Sequence, residues 1–196
     1  MLDMPHENLG FMISPMVGYW RESLANYWWA GDNGRFKSPH RWTERKWVEW
    51  MYGLLPYQPK CLFMVAPDVL ADPEATRELA EQYLPMIRLQ GYRAAYVSQD
   101  RADETDIPWD WFDCLFIGGT TEWKLSEASY ALAKEAKDRK KWVHMGRVNS
   151  GRRMRAAQVS GVDSADGTHI AFKPTKRMEE VIAWLKAAKC QDGLFA

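Results

Sequence analysis

The sequence predicts a parallel α/β fold: a compact (β/α)8 barrel of the TIM type, or an incomplete version of one, in a single domain spanning residues 1–196. Three observations predict it. Short apolar runs alternate with amphipathic helical stretches along the whole chain. Seven or eight such runs can be counted, close to the eight a closed barrel needs. Acids, amides and glycines gather just after the runs, where the carboxyl ends of parallel strands converge on one cleft. With 46% hydrophobic residues in 196, the chain has ample apolar surface for one core.

Leu9 to Ile13 (LGFMI) is a short apolar run closed by Ser14-Pro15, a first strand. A second run, Tyr27 to Ala30, leads into Gly31-Asp32-Asn33-Gly34-Arg35-Phe36. Gly and Asn there permit a tight turn with positive φ, which holds Asp32 at a strand end. Thr43 to Leu55 carries Trp47, Trp50, Met51 and Leu54 at helical spacing. Leu62 to Ala66 is an unbroken apolar strand with Pro67-Asp68 at its end. Asp72 then caps a helix with Pro73 at its first position, and Leu79, Ala80, Tyr83, Leu84 and Ile87 form its apolar stripe. Pro85 inside that stripe should kink it. Tyr92 to Ser98 is a strand ending at Gln99-Asp100, and residues 100 to 111 are the most loop-like segment. Leu115 to Ile117 is a strand closed by Gly118-Gly119-Thr120-Thr121-Glu122, after which Ser126 caps a helix.

The richest stretch runs from Trp142 to Gly167. A strand, Trp142 to Met145, turns at Gly146 and restarts at Ser150 as a helix with Met154 and Ala157 on one face. A second strand then delivers Asp163 and Asp166 to its far end. An Asp-x-x-Asp after a strand serves either as a site or as a turn and cap, so both acids are site candidates. His169 to Phe172 forms a last strand, and a final helix begins near Thr175 with Met178, Val181, Ile182 and Leu185 on one face.

The 26 basic and 26 acidic side chains cancel, so average composition does not call for nucleic acid. Their distribution is less even. Arg139, Lys140, Lys141, Arg147, Arg152, Arg153 and Arg155 lie close together with few acids, and Lys173, Lys176 and Arg177 follow. Such a run tracks a phosphate backbone or covers a solvated helix face. Cys61, Cys114 and Cys190 are scattered and odd in number, which reads as free thiols in a reducing, cytoplasmic compartment. No C-x-x-C pair exists, and His6, His40, His144 and His169 are dispersed, so neither a metal nor a cofactor is expected. His144, beside a strand end, reads as a core histidine, with substrate contact as the alternative. The amino terminus, MLDMPHENLG, has no basic region or long apolar segment, which argues against a secretory signal or a membrane span.

With the strand ends in order, the chain resembles the guanine transglycosylases, which exchange guanine for a 7-deazaguanine in nucleic acid. HMGRVNS followed by GVDSADG looks like the family's strand Met-Gly-x-Gly-Thr-Pro, a helix, then Gly-Val-Asp-Met-Phe-Asp. Asp32-Asn33-Gly34-Arg35-Phe36 is similar to the family's Asp-Ser-Gly-Gly-Phe. Asp68 falls at the family's base-reading aspartate, Gln99 at its base-contacting glutamine, and Gly118-Gly119 at its glycine loop over the base. The matches span about residues 30 to 170. The family's tRNA-acting members are much longer and hold zinc through a cysteine cluster. Their basic residues after the second catalytic aspartate are here Thr168 to Phe172. Both departures point from tRNA toward the short DNA-acting relatives encoded by viruses, which would place this chain in a host cytoplasm.

The resemblance implies Asp166 as the nucleophile, with Asp163 as its alternate, and a covalent sugar–enzyme intermediate with retained configuration. It implies Asp32 as general acid and base. Asp68 and Gln99 would read a purine's Watson–Crick edge, while Gly118 and Gly119 bring bare backbone close to it. Phe36 and Met145 complete the substrate-binding set, with Met145 under the ring. A base within a duplex is unreachable, so the nucleotide must be flipped out, and Arg147, Arg152, Arg153, Lys173 and Lys176 are the candidates for phosphate contacts. The implied partners are DNA, with tRNA as the alternative polymer, and a base such as 7-cyano-7-deazaguanine; the family also often forms homodimers. Two rival readings fit the same residues: a nucleoside hydrolase or deoxyribosyltransferase acting on small molecules, and a non-catalytic nucleic-acid-binding module.

Overall fold

The structure, a computed structural model, describes residues 9–16, 21–36, 39–170 and 174–191. Among the described residues, seven strands form one sheet in chain order: β1 (Phe11–Ile13), β2 (Trp29–Gly31), β3 (Cys61–Val65), β4 (Ala94–Ser98), β5 (Cys114–Ile117), β6 (Trp142–Met145) and β7 (Ser164–Ala165). Every neighbouring pair is parallel. Sequential order with parallel pairing is barrel connectivity, since a doubly wound sheet reverses direction at a switch point.

The sheet is strongly curled. Phe63 on β3 and His144 on β6 meet with ring centroids 5.0 Å apart. Three strand spacings in a flat sheet would separate them by roughly 14 Å. The curl encloses an inner layer of Ala30, Phe63, Val65, Ala95, Val97 and Cys114, small residues alternating with one large ring. The other face carries Trp29, Met64, Tyr96, Leu115, Val143 and Met145 into a larger core under the helices. Those helices are α1 (Arg21–Asn26), α2 (Glu44–Tyr52), α3 (Pro73–Leu89), α4 (Thr121–Lys124), α5 (Glu127–Asp138), α6 (Gly151–Val159) and α7 (Pro174–Gln191).

Local chemistry sets the helix starts. Thr43, Asp72, Ser126 and Ser150 each accept a hydrogen bond from the backbone N–H three residues on, satisfying one of the four amides a helix start leaves unpaired. Pro73 opens α3, which continues through Pro85 to Leu89. The Glu81 carbonyl that Pro85 cannot pair belongs to an exposed residue, so water can satisfy it.

The described sheet stops short of closure. His169 and Ile170 form a turn where a strand was expected, and Ala171 to Phe172 lie outside the described residues. Among the described residues β1 pairs only with β2, and β7 only with β6. A cavity of about 1020 Å³ lies between these two edges, lined by residues such as Phe11, Trp28, Cys61, Trp142, Asp163 and Val181. Most of its lining lies at the amino ends of the strands, and Ala30, Phe63, His144, Ser164 and Ala165 carry it further along them. No described helix is long and apolar enough to cross a membrane.

Candidate active site

The loops after the strands are tied into one belt at the carboxyl end of the sheet. After β2, Asn33 is buried and donates from Nδ2 to the Ala66 carbonyl at 2.8 Å and to Asp68 Oδ1 at 2.7 Å. Arg35 Nη1 donates to the Asp68 carbonyl at 3.3 Å. After β4, Gln99 Nε2 donates to Asp68 Oδ2 at 2.6 Å, and its Oε1 accepts from the Ala71 N–H at 3.1 Å. Next along, Asp100 accepts from the Thr120 N–H at 2.9 Å and its hydroxyl at 2.5 Å. Arg147, after β6, donates from Nη2 to the Gly119 carbonyl at 2.9 Å and lies over the Phe36 ring at 4.7 Å, spanning from β6 back to β2. Its backbone N–H donates to Asp166 Oδ1 at 2.5 Å, and the Val148 N–H donates to the Asp166 carbonyl at 2.6 Å.

Asp166 and Asp68 are pushed in opposite directions. Burial alone would raise Asp166, but the His144 imidazole, the Arg147 N–H and Lys124 outweigh it and hold the carboxyl below its usual range. At Asp68 burial dominates, and the carboxyl lies above its usual range despite the Asn33 and Gln99 amides and Arg35. Asp166 Oδ1 takes the Arg147 N–H, while Oδ2 accepts no hydrogen bond among the described residues. Asp32 sits at the end of β2 with Oδ1 accepting the Gly34 N–H at 3.2 Å, an Asx turn enabled by the positive φ of Gly34.

Several expected residues fall elsewhere. Asp163 precedes β7 and does not reach the carboxyl end. Its carboxylate binds Lys137 Nζ at 2.5 Å and the Val143 N–H at 2.8 Å, and three residues of extended chain place it about 10 Å along the strand from Asp166. Met145 is buried in the helix-facing core, on the far side of the sheet from the inner layer. Gln99 is buried with both ends of its amide bonded internally, and both Asp68 oxygens are likewise taken. Contact with a base by either requires exchanging those bonds. A Cβ at Gly118 would stand 2.6 Å from Val97 Cγ1, and one at Gly119 2.5 Å from Asp100 Oδ2, so packing within the belt already requires both glycines. The basic run is split by β6. Arg139 pairs with Glu135 and Lys141 reaches the Phe112 carbonyl at the strand's start, whereas Arg147, Arg152 and Arg153 follow its end. Arg152 is exposed, Arg153 donates to the Arg147 carbonyl at 3.0 Å, and Lys176 is exposed on α7. Lys173 lies outside the described residues.

Lys124 was not anticipated. It ends the four-residue helix α4, is only 4% exposed, and has no carboxylate within 4 Å among the described residues. Burial, then Arg147, lower its pKa to about 8, against the attraction of Asp166. Between pH 8 and the ordinary lysine range the unfolded chain therefore binds more protons, and stability should rise with pH across that window. Lys124→Met should abolish the rise in a Tm–pH series and stabilise the fold near pH 7, by on the order of 2 kcal/mol once solvent screening is allowed for. An unchanged slope would show that Lys124 titrates normally.

No family model matches the chain, and no curated protein matches it. Among solved structures, a protein provisionally assigned as a glycerophosphoryl diester phosphodiesterase, from Silicibacter pomeroyi DSS-3, is similar with a TM-score of 0.44 and 15% identity. The match covers 83% of this chain and 52% of that one, so the chain spans about half the length of that structure.

Proposed function

We propose that this chain is a guanine transglycosylase that exchanges guanine in DNA for a 7-deazaguanine such as 7-cyano-7-deazaguanine. One observation carries the reading: at the carboxyl end of β7, Asp166 is held as an anion with Oδ1 fixed by the Arg147 N–H, while Oδ2 accepts no hydrogen bond among the described residues. Base exchange at C1′ passes through an oxocarbenium-like state, which an oriented carboxylate stabilises and then traps. In the first step Oδ2 bonds to C1′ as the C1′–N9 bond breaks, its electron pair leaves with guanine, and Asp32 supplies the proton that neutralises the departing base. In the second, Asp32 takes a proton from the incoming base, whose nitrogen attacks C1′ and expels Asp166.

Phe36, half-exposed under the Arg147 guanidinium, offers a flat face on which a flipped purine stacks. Arg147, Arg152 and Arg153 at the same end, with Lys176 on α7, are the groups for backbone phosphates, and they favour a polymer over a free nucleoside. Purine reading by Asp68 and Gln99 would replace the Asn33 and Ala71 donors with the base's own edge.

Incubating the protein with DNA carrying radiolabelled guanine, and separately with labelled tRNA and with labelled deoxyguanosine, in the presence of unlabelled 7-deazaguanine bases tests this. Release of label from DNA is expected. Release from tRNA alone would overturn the choice of polymer, and release only from free nucleosides would favour a small-molecule deoxyribosyltransferase.

A further inference from the structure

Strand alternation points His144 inward, into the curl of the sheet, where it is 3% exposed between Phe63 at 5.0 Å and Phe116 at 4.7 Å. Its Nδ1 lies 2.8 Å from Ser164 Oγ on the neighbouring strand. The same oxygen stands 2.8 Å from Trp142 Nε1. Indole nitrogen only donates, so Ser164 Oγ must accept from Trp142. Among the described residues Nδ1 is the one acceptor seen beside the serine proton, so the pairing in which Ser164 donates to Nδ1 satisfies all three groups. That puts the imidazole proton on Nε2, which has no hydrogen-bond partner among the described residues and lies 3.8 Å from Asp166 Oδ1. A buried N–H without a partner costs about 1–3 kcal/mol, a cost that is compensated if the nitrogen serves a nearby anion.

We propose that His144 is a positioning residue for Asp166: the relay Trp142–Ser164–His144 directs an Nε2–H at Oδ1, which with the Arg147 N–H fixes that oxygen and leaves Oδ2 as the reacting atom. The assignment rests on the proposed role of Asp166, but the relay itself is a property of the free protein. The gap of 3.8 Å exceeds a hydrogen bond, so the contact tightens by about 1 Å when the carboxylate engages a cation-like sugar. Three groups act on Asp166 in this geometry: His144 from β6, Lys124 from α4 and the Arg147 backbone from the loop after β6. Their contributions separate by substitution. The pairing of His144 with Ser164 follows from the β6–β7 register, in which these two residues are directly opposite. A histidine buried only for packing would not need a serine and a tryptophan to select its tautomer.

The test is a carboxyl-carbon NMR titration of Asp166 in the free protein, alongside imidazole nitrogen shifts of His144. Unprotonated Nδ1 and protonated Nε2 are expected, and the reverse tautomer would overturn the relay. His144→Phe fills the same space between the two rings without a donor, and should raise the Asp166 midpoint. His144→Gln, whose amide nitrogen falls near Nε2, should restore it toward the native value. An Asp166 midpoint unmoved by His144→Phe in a protein that remains folded would overturn the proposal. If the Phe variant does not fold, the imidazole nitrogen shifts of the native protein decide: a protonated Nε2 supports the relay, and a protonated Nδ1 refutes it. A shifted midpoint in a protein that exchanges no base would keep the relay and refute the transglycosylase reading. In exchange kinetics, the acid limb of the pH profile should move upward with His144→Phe while KM for DNA stays unchanged.

Discussion

Asp166→Asn should abolish base exchange while leaving the fold intact. Asn is isosteric, its Oδ1 still accepts the Arg147 N–H, and the packing around Gly146 is unaltered. What disappears is the charge and the nucleophilic oxygen. Loss of a covalent nucleophile costs on the order of 10⁶ in turnover. DNA binding should persist, since removing a negative charge near the substrate's phosphates does not weaken them. The substitution also has a stability signature. A carboxyl held below its usual range contributes stability above its unfolded pKa and loses it as pH falls through the folded value. The native protein should therefore lose stability in acid more steeply than Asp166→Asn. Residual exchange within tenfold of the native rate would remove Asp166 from the mechanism.

Asp32→Asn should slow exchange by about 10²–10⁴-fold, the range for loss of a general acid and base. The amide oxygen keeps the Gly34 contact that holds the turn, so the effect is chemical. Its signature is a dependence on the leaving base. Guanine departs only when protonated, whereas 7-methylguanine already carries a positive charge and needs no proton. The variant should therefore form its covalent intermediate with 7-methylguanine-containing DNA at close to the native rate, yet fail to complete exchange with an incoming base that must be deprotonated. Equal impairment on both substrates would assign Asp32 to the turn alone.

Much of the fold was legible because its determinants are local. Trp142–Met145 is a strand with the bounds its apolar run suggested, and Thr43, Asp72, Ser126 and Ser150 cap the helices they appeared to open. The parallel, sequential sheet followed from alternation. What escaped depends on contacts between distant segments. Asp163 and Asp166 flank a strand of two residues, too short for alternation to say which end each occupies. α4 is a single turn with no periodicity to detect, so nothing in the sequence singles out Lys124. Gln99 and Asp68 are consumed by partners 28 to 35 residues away in sequence. His144 looked like a core histidine, and it is buried; its open Nε2 became visible only once β7 was placed beside β6.

The central claim is that Asp166 Oδ2 bonds to a nucleotide sugar. Mixing the protein with a guanine-containing DNA oligonucleotide, denaturing it during turnover and weighing the intact protein tests this most directly. A protein–DNA adduct that maps by peptide mass to Asp166 and is absent from Asp166→Asn is expected. Exchange of base without any adduct, or an adduct on another residue, would contradict it.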